Sequence, residues 1–187
     1  MKAGKIALTG MMASGKTTLG KKLAKRLGVQ FVDIDEVLAK IAGMPPADIF
    51  AAHGEDEFRA LERMVIREVV NRSGPLVIAL GGGSYIQKPV RDALRGKALT
   101  VYLKVAAPEI ARRLEATDIA SRPMLSGPVD WRERAEALAT EREPAYALAD
   151  LTFRADGTDA ESLCGRLCER ITEKQGERVS QLEAVNA

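Results

Sequence analysis

Little cysteine, a single histidine, no excess of either charge and no long apolar run are the first features of this 187-residue chain. Its two cysteines, Cys164 and Cys168, are four residues apart. That spacing is neither a Cys-x-x-Cys redox pair nor a zinc half-site, and it leads us to expect reduced thiols in a reducing cytoplasm. The lone histidine, His53, has no His or Cys neighbour in sequence, which argues against a metal cage. The 28 basic and 26 acidic residues leave a formal charge of +2, too balanced to mark a nucleic-acid or anionic-membrane surface. No stretch approaches the roughly 18 consecutive apolar residues of a membrane span. The apolar run in the opening MKAGKIALTG is too short for a signal-peptide core. Internal repeats and low-complexity linkers are also lacking.

What is present is an alternation of strand and helix patterns. Lys5 to Thr9 is a short apolar run that enters a glycine-containing loop. Leu19, Leu23, Ala24 and Leu27 then recur at helical spacing, with Gly28 placed as a C-cap. Phe31 to Ile34 reads as a second strand, and Asp35 to Ala42 as a helix stopped by Gly43 and the Pro45-Pro46 pair. From Gly54 onward, acids in a first turn and an apolar face of Phe58, Leu61, Val65 and Val69 predict another helix. Pro75 to Leu80 is a continuous apolar run ending in Gly81-Gly82-Gly83, as a strand buried on both faces would be. Leu99 to Leu103 and Leu151 to Phe153 complete five strands. The fold class this predicts is α/β, a three-layer domain with a mainly parallel sheet flanked by helices, over about residues 1–172. Residues 117–128, polar and broken by proline and glycine, read either as a mobile lid or as a surface loop. Residues 173–187 read as a frayed helix end or flexible tail.

The stretch GMMASGKTT, Gly10 to Thr18, fits Gly-x-x-x-x-Gly-Lys-Thr between a strand and a helix. In that context the glycines let the backbone turn and approach an anion, and inward N–H groups with the positive helix end form the cradle. Lys16 supplies a mobile charge for the β- and γ-phosphates, and the Thr17 hydroxyl is placed to ligate Mg²⁺. Ala13, Ser14, Gly15, Lys16, Thr17 and Thr18 are therefore the expected nucleotide-binding residues. If position 13 needs a positive φ, alanine costs of order 1 kcal/mol there.

Other constellations belong to the carboxyl ends of the strands, where such sheets bind ligands. Strand alternation points Asp33 and Asp35 to one side. One carboxylate then reaches the Mg²⁺ water shell and the other meets an acceptor hydroxyl as its base. The plainer reading has Asp35 as an N-cap only. Arg59 and Glu62 are either a surface ion pair worth under about 1 kcal/mol, or a carboxylate aiming an arginine fork at an anionic substrate. Triple glycine after an apolar strand suits a ligand ring against bare backbone. Arg122 in the lid, with Arg142 and Tyr146 on the following helix, either closes over the phosphates to neutralise transition-state charge, or both arginines are ordinary solvated charges.

Taken in order, these elements resemble the shikimate kinase family. GMMASGKTTLG is similar to its phosphate loop, DIDEVLAKIAG to its paired-aspartate segment, and ADIFAAHGEDEFRALE to its Ile-Phe…Gly-Glu…Phe-Arg…Glu signature. LGGG, SRPML and REPAY resemble its glycine turn, lid and second arginine site. The resemblance implies a P-loop kinase fold with a five-stranded parallel sheet, and transfer of the ATP γ-phosphate to the 3-hydroxyl of shikimate. It implies Asp35 as acceptor-side base, with Arg59 and Arg142 on the shikimate carboxylate and the backbone of Gly82 and Gly83 beside the ring. Lys16 and Arg122 would stabilise the transferring group, Thr17 and Asp33 would serve Mg²⁺, and Arg113 would pack on adenine. A gluconate-kinase-like enzyme remains an alternative, although VDIDEVLAK lacks the Asp-Gly-Asp and histidine that such kinases tend to carry. A nucleotide-binding module without catalysis is a further alternative. A cytoplasmic monomer is expected.

Overall fold

The computed structural model describes residues 4–116, 122–125 and 127–185, without the side chains of residues 123 and 175–185. Part of the expected lid, 117–121 and 126, lies outside the described residues. Five strands form one parallel sheet: β1 (Lys5–Thr9), β2 (Gln30–Asp33), β3 (Leu76–Ala79), β4 (Ala98–Lys104) and β5 (Leu151–Arg154). Their spatial order is β2-β3-β1-β4-β5. The central strand β1 pairs Ile6 with Val77 on one side and with Leu99 on the other. Ile6, Ala7, Leu8 and Thr9 have no exposed surface, which accounts for the unbroken apolar run.

The order dictates where a ligand can sit. The chain leaves β1 through α1 (Lys16–Leu27) toward β2 on one side, whereas it leaves neighbouring β3 through α4 (Lys88–Leu94) toward β4 on the other. A crevice therefore opens beyond the carboxyl ends of β1 and β3. The loop from Gly10 to Gly15 and the glycine turn at 81–83 are the segments that leave those two ends.

The remaining helices are α2 (Ile34–Ala42), α3 (Pro46–Asn71), α5 (Ala107–Glu115), α6 (Trp131–Tyr146) and α7 (Ala160–Val185). Gly28 and Gly43 close α1 and α2 in the left-handed conformation. Two boundaries depart from the sequence reading. Pro46 opens α3 instead of only ending what precedes it, because a proline at the first helical position gives up an N–H that has no helical partner. Helix α3 also breaks at Gly54, whose φ is 80° and ψ 174°. The acid-rich turn expected after Gly54 is thus the restart of a kinked helix. The backbone of α7 continues to Val185, through most of the expected tail; residues 186 and 187 lie outside the described residues.

Candidate active site

Backbone geometry builds the phosphate loop. Gly10 has φ 139°, and a Cβ there would lie 2.7 Å from the Leu103 carbonyl oxygen. Ser14 N–H donates to the Met11 carbonyl at 3.2 Å, and Gly15 enters α1 with φ 93° and no side-chain cap. The first turn of α1 carries no acidic residue, so the positive end of the helix is left for an anion. Ala13 has φ 58°, which answers the question its identity raised: the position uses the left-handed region at a cost of about 1 kcal/mol to alanine. We expect Ala13→Gly to raise the unfolding midpoint by about 2–4 °C with kcat within twofold of wild type. A midpoint that does not rise in thermal unfolding would show that the position is unstrained.

Lys16 is buried, and its Nζ donates to the carbonyls of Gly10 and Met11, each at 2.9 Å. Loss of hydration lowers its ammonium to about 8, although Asp35 and Asp33 pull the other way. Thr17 Oγ1 donates to Asp33 Oδ2 at 2.6 Å. The other oxygen of Asp33 accepts the Asp35 N–H at 3.0 Å.

These contacts correct the reading of the aspartate pair. Strand β2 ends at Asp33, and Asp33, rather than Asp35, caps α2. Asp35 lies in the first helical turn, so strand alternation does not relate the two, yet both line the same cavity. Asp33 is held by Thr17 and the helix end, while Asp35 is exposed to the cavity. Nearby protein still strips enough hydration from Asp35, with Asp33 and Glu62 repelling, to push its carboxyl up to about 6 against Lys16 and Arg59. An alcohol oxygen and a carboxylate 2.6 Å apart beside a phosphate cradle form an all-oxygen donor set. Such a set suits a hard divalent cation that keeps most of its waters.

On the far side of the cavity, Arg59 and Glu62 are no surface pair. Their side chains are 12% and 1% exposed, with Nη1 to Oε2 at 2.9 Å. Glu62 also accepts from Ser84 Oγ and Gln87 Nε2, each at 2.7 Å. The glycines are required by what lies over them. A Cβ on Gly81 would meet Glu62 Oε1 at 2.6 Å and Asp35 Oδ1 at 3.1 Å, and one on Gly83 would meet the Arg59 guanidinium at 2.4 Å. Gly82 abuts the phosphate loop, its virtual Cβ 3.4 Å from Met12 N.

Arg142 is buried, yet its Nε has no hydrogen-bond partner, and the same holds for Nε of Arg122. Loss of hydration lowers the Arg122 guanidinium, with Asp35 opposing. Arg113 is tied down by Glu109 at 2.7 Å and by the carbonyls of Ala13, Ser14 and Ala155 at 3.0–3.4 Å. That side chain braces the phosphate loop, a contact that its expected place beside adenine did not suggest.

A cavity of about 660 Å³ brings together every residue from 13 to 18 of the loop with Asp33, Asp35, Arg59, Gly82, Gly83, Arg113, Arg122 and Arg142. Among its lining residues Lys16, Arg59, Arg113, Arg122 and Arg142 outweigh Asp33, Asp35 and Glu62, so the field favours polyanionic ligands. Sequence reading missed Ser84 and Gln87, whose only signal was their place just after the triple glycine. Phe58, on the core face that the sequence predicts, also meets Phe50 edge to face at 5.8 Å in the cavity wall.

Comparison with known proteins agrees with this geometry. The family model described as shikimate kinase matches residues 12–172. The chain is 42% identical to a shikimate kinase of Nitrobacter winogradskyi over 79% of its own length and 67% of that protein's. It is 43% identical to one of Mycobacterium avium over 82% and 84%. Among solved structures, the shikimate kinase from Acinetobacter baumannii in complex with shikimate superposes with a TM-score of 0.85 at 31% identity, covering 92% of this chain and 94% of that one. The chain belongs to the shikimate kinase family, ATP-dependent kinases that phosphorylate a small-molecule acceptor.

Proposed function

We propose that this cleft transfers the γ-phosphoryl group of ATP to the 3-hydroxyl of shikimate, giving shikimate 3-phosphate and ADP. The observation that carries the acceptor assignment is Arg142, a buried guanidinium whose Nε lacks a partner, lining the same cavity as Arg59. A buried cation of this kind is offset by an anionic ligand, and the shikimate carboxylate supplies one. The ring lies against Gly82 and Gly83, and a side chain on Gly83 would collide with the Arg59 guanidinium. Asp35, above Gly81, orients the 3-hydroxyl and takes its proton.

On the donor side, the N–H groups of residues 13–18 hold the phosphates, and Lys16 and Arg122 neutralise charge on the transferring group. Thr17 and Asp33 would hold Mg²⁺ between them, and the ion would supply positive charge to offset that of the ATP phosphates. We further place the enzyme in the cytoplasm as a monomer. The free thiols of Cys164 and Cys168 suit a reducing compartment. Among the described residues, the large apolar side chains that stay exposed, Ile41, Met64, Val129 and Leu148, are far apart in the chain.

The test is ADP release from ATP·Mg²⁺ with shikimate, with gluconate and with no acceptor. We expect release that depends on shikimate alone. Release with gluconate in place of shikimate would keep the phosphate loop and overturn the roles of Arg59 and Arg142. Release with neither acceptor, or none at all, would reject this acceptor assignment.

A further inference from the structure

We propose that Tyr146 is a positioning residue that sets the acceptor carboxylate site, holding Arg142 and the Gly82 peptide in their binding geometry. The inference rests on the acceptor assignment above. Tyr146 is 1% exposed, at the last turn of α6 and four residues after Arg142, so the two side chains share a face of the helix. Its hydroxyl donates to the Gly82 carbonyl. That bond fixes the peptide plane of the one glycine that touches the phosphate loop and also lies beside the acceptor.

The last turn of α6 needs such an anchor. Pro144 stands between Arg142 and Tyr146 inside the helix, and a proline there removes an intrahelical bond and disturbs the turn before it. The orientation of this turn therefore depends on bonds made outside the helix. The Tyr146 ring stacks on Tyr102 of β4, centroids 5.1 Å apart and planes 27° from parallel. Tyr102 in turn donates to Glu143, and Lys104 pairs with the same carboxylate. Neighbouring residues of α6 are thus pinned to the sheet by Glu143 and to the glycine turn by Tyr146. Arg142, immediately before the first of these anchors in the chain, lines the cavity without a partner for its Nε.

Tyr146→Phe tests this, because it removes one hydroxyl and keeps the ring on Tyr102. Shikimate and a non-hydrolysable ATP analogue would be titrated calorimetrically against wild type, Tyr146→Phe, Arg142→Ala and the double variant. The expected result is shikimate binding about tenfold weaker in Tyr146→Phe, analogue binding within twofold, and an unfolding midpoint within about 2 °C of wild type. In the Arg142→Ala background the same change is expected to cost much less, since its effect passes through that arginine. Unaltered shikimate binding in Tyr146→Phe, with wild type binding normally, overturns the assignment and leaves the proposed function standing. Equal losses for both ligands with a lowered midpoint also overturn it, by making the hydroxyl merely structural. A wild-type chain that binds no shikimate overturns the acceptor reading and this inference with it.

Discussion

Asp35→Asn is expected to lower kcat about a thousandfold, within the range usual for loss of a positioned base, while ATP affinity stays within a few-fold. The amide keeps the shape of the side chain and its place over Gly81 but cannot take a proton. The environment of Asp35 also sets a pH signature. Its carboxyl is pushed from 3.8 up to about 6, and only the ionised form serves as base. The kcat/KM for the acceptor should therefore fall as pH drops through about 6. An unperturbed carboxylate would place that limb near 4.

The ammonium of Lys16 is lowered to about 8, and only its charged form attracts phosphate, so activity should fall again above about 8. A bell-shaped kcat/KM profile with limbs near those two values is the expected measurement. A wild-type acid limb near 4, or an Asp35→Asn variant retaining a tenth of the wild-type rate, would remove Asp35 from the role of base. The stability consequence has the opposite sign. A carboxyl raised on folding binds a proton that the unfolded chain has released, so between about 4 and 6 rising pH costs stability. Asn is free of that cost, and the variant should fold at least as stably as wild type.

Features carried by contiguous residues were the ones legible in the sequence. The phosphate motif is a single run of nine residues that leaves β1 and enters α1, and its spacing has few other physical uses. The strands were readable because burial on both faces makes each a short apolar run. What escaped depended on conformation or on distant partners. No sequence rule assigns φ 58° to Ala13. The alternation argument for Asp33 and Asp35 failed because β2 ends at Asp33 and the next residue is already helical. Burial of Glu62 could not be read from its helix, since its donors Ser84 and Gln87 lie 22 and 25 residues away. Read from its own helix Arg142 was an ordinary charge, and only the resemblance singled it out for a carboxylate. Its burial shows only in the folded chain.

Arg122→Ala is expected to lower kcat by about a thousandfold with little change in shikimate KM, whereas Arg59→Ala should raise shikimate KM by tenfold or more with kcat within a few-fold. The division follows from what each guanidinium touches. Arg59 is held by Glu62 and by Glu55, and it lies over Gly83, so its position is set before the acceptor arrives. Its attraction for a carboxylate is the same in the ground state and the transition state, which is uniform binding. Truncation leaves Glu62 with the Ser84 and Gln87 donors, so the fold should survive.

Arg122 has a different environment. Its Nε is buried without a partner, and burial lowers its guanidinium while Asp35 is the charge that opposes this. It also depresses Lys16, as Arg142 does. Cations that repel one another in a cleft are relieved most when negative charge gathers between them, and that charge peaks as the phosphoryl group leaves ADP. The mutual repulsion costs stability in the free protein and is offset in the transition state, so removing Arg122 should raise the unfolding midpoint slightly while slowing turnover. Initial rates over a grid of ATP and shikimate concentrations separate the two parameters for each variant. Equal effects on kcat and KM in both variants would contradict this division of roles.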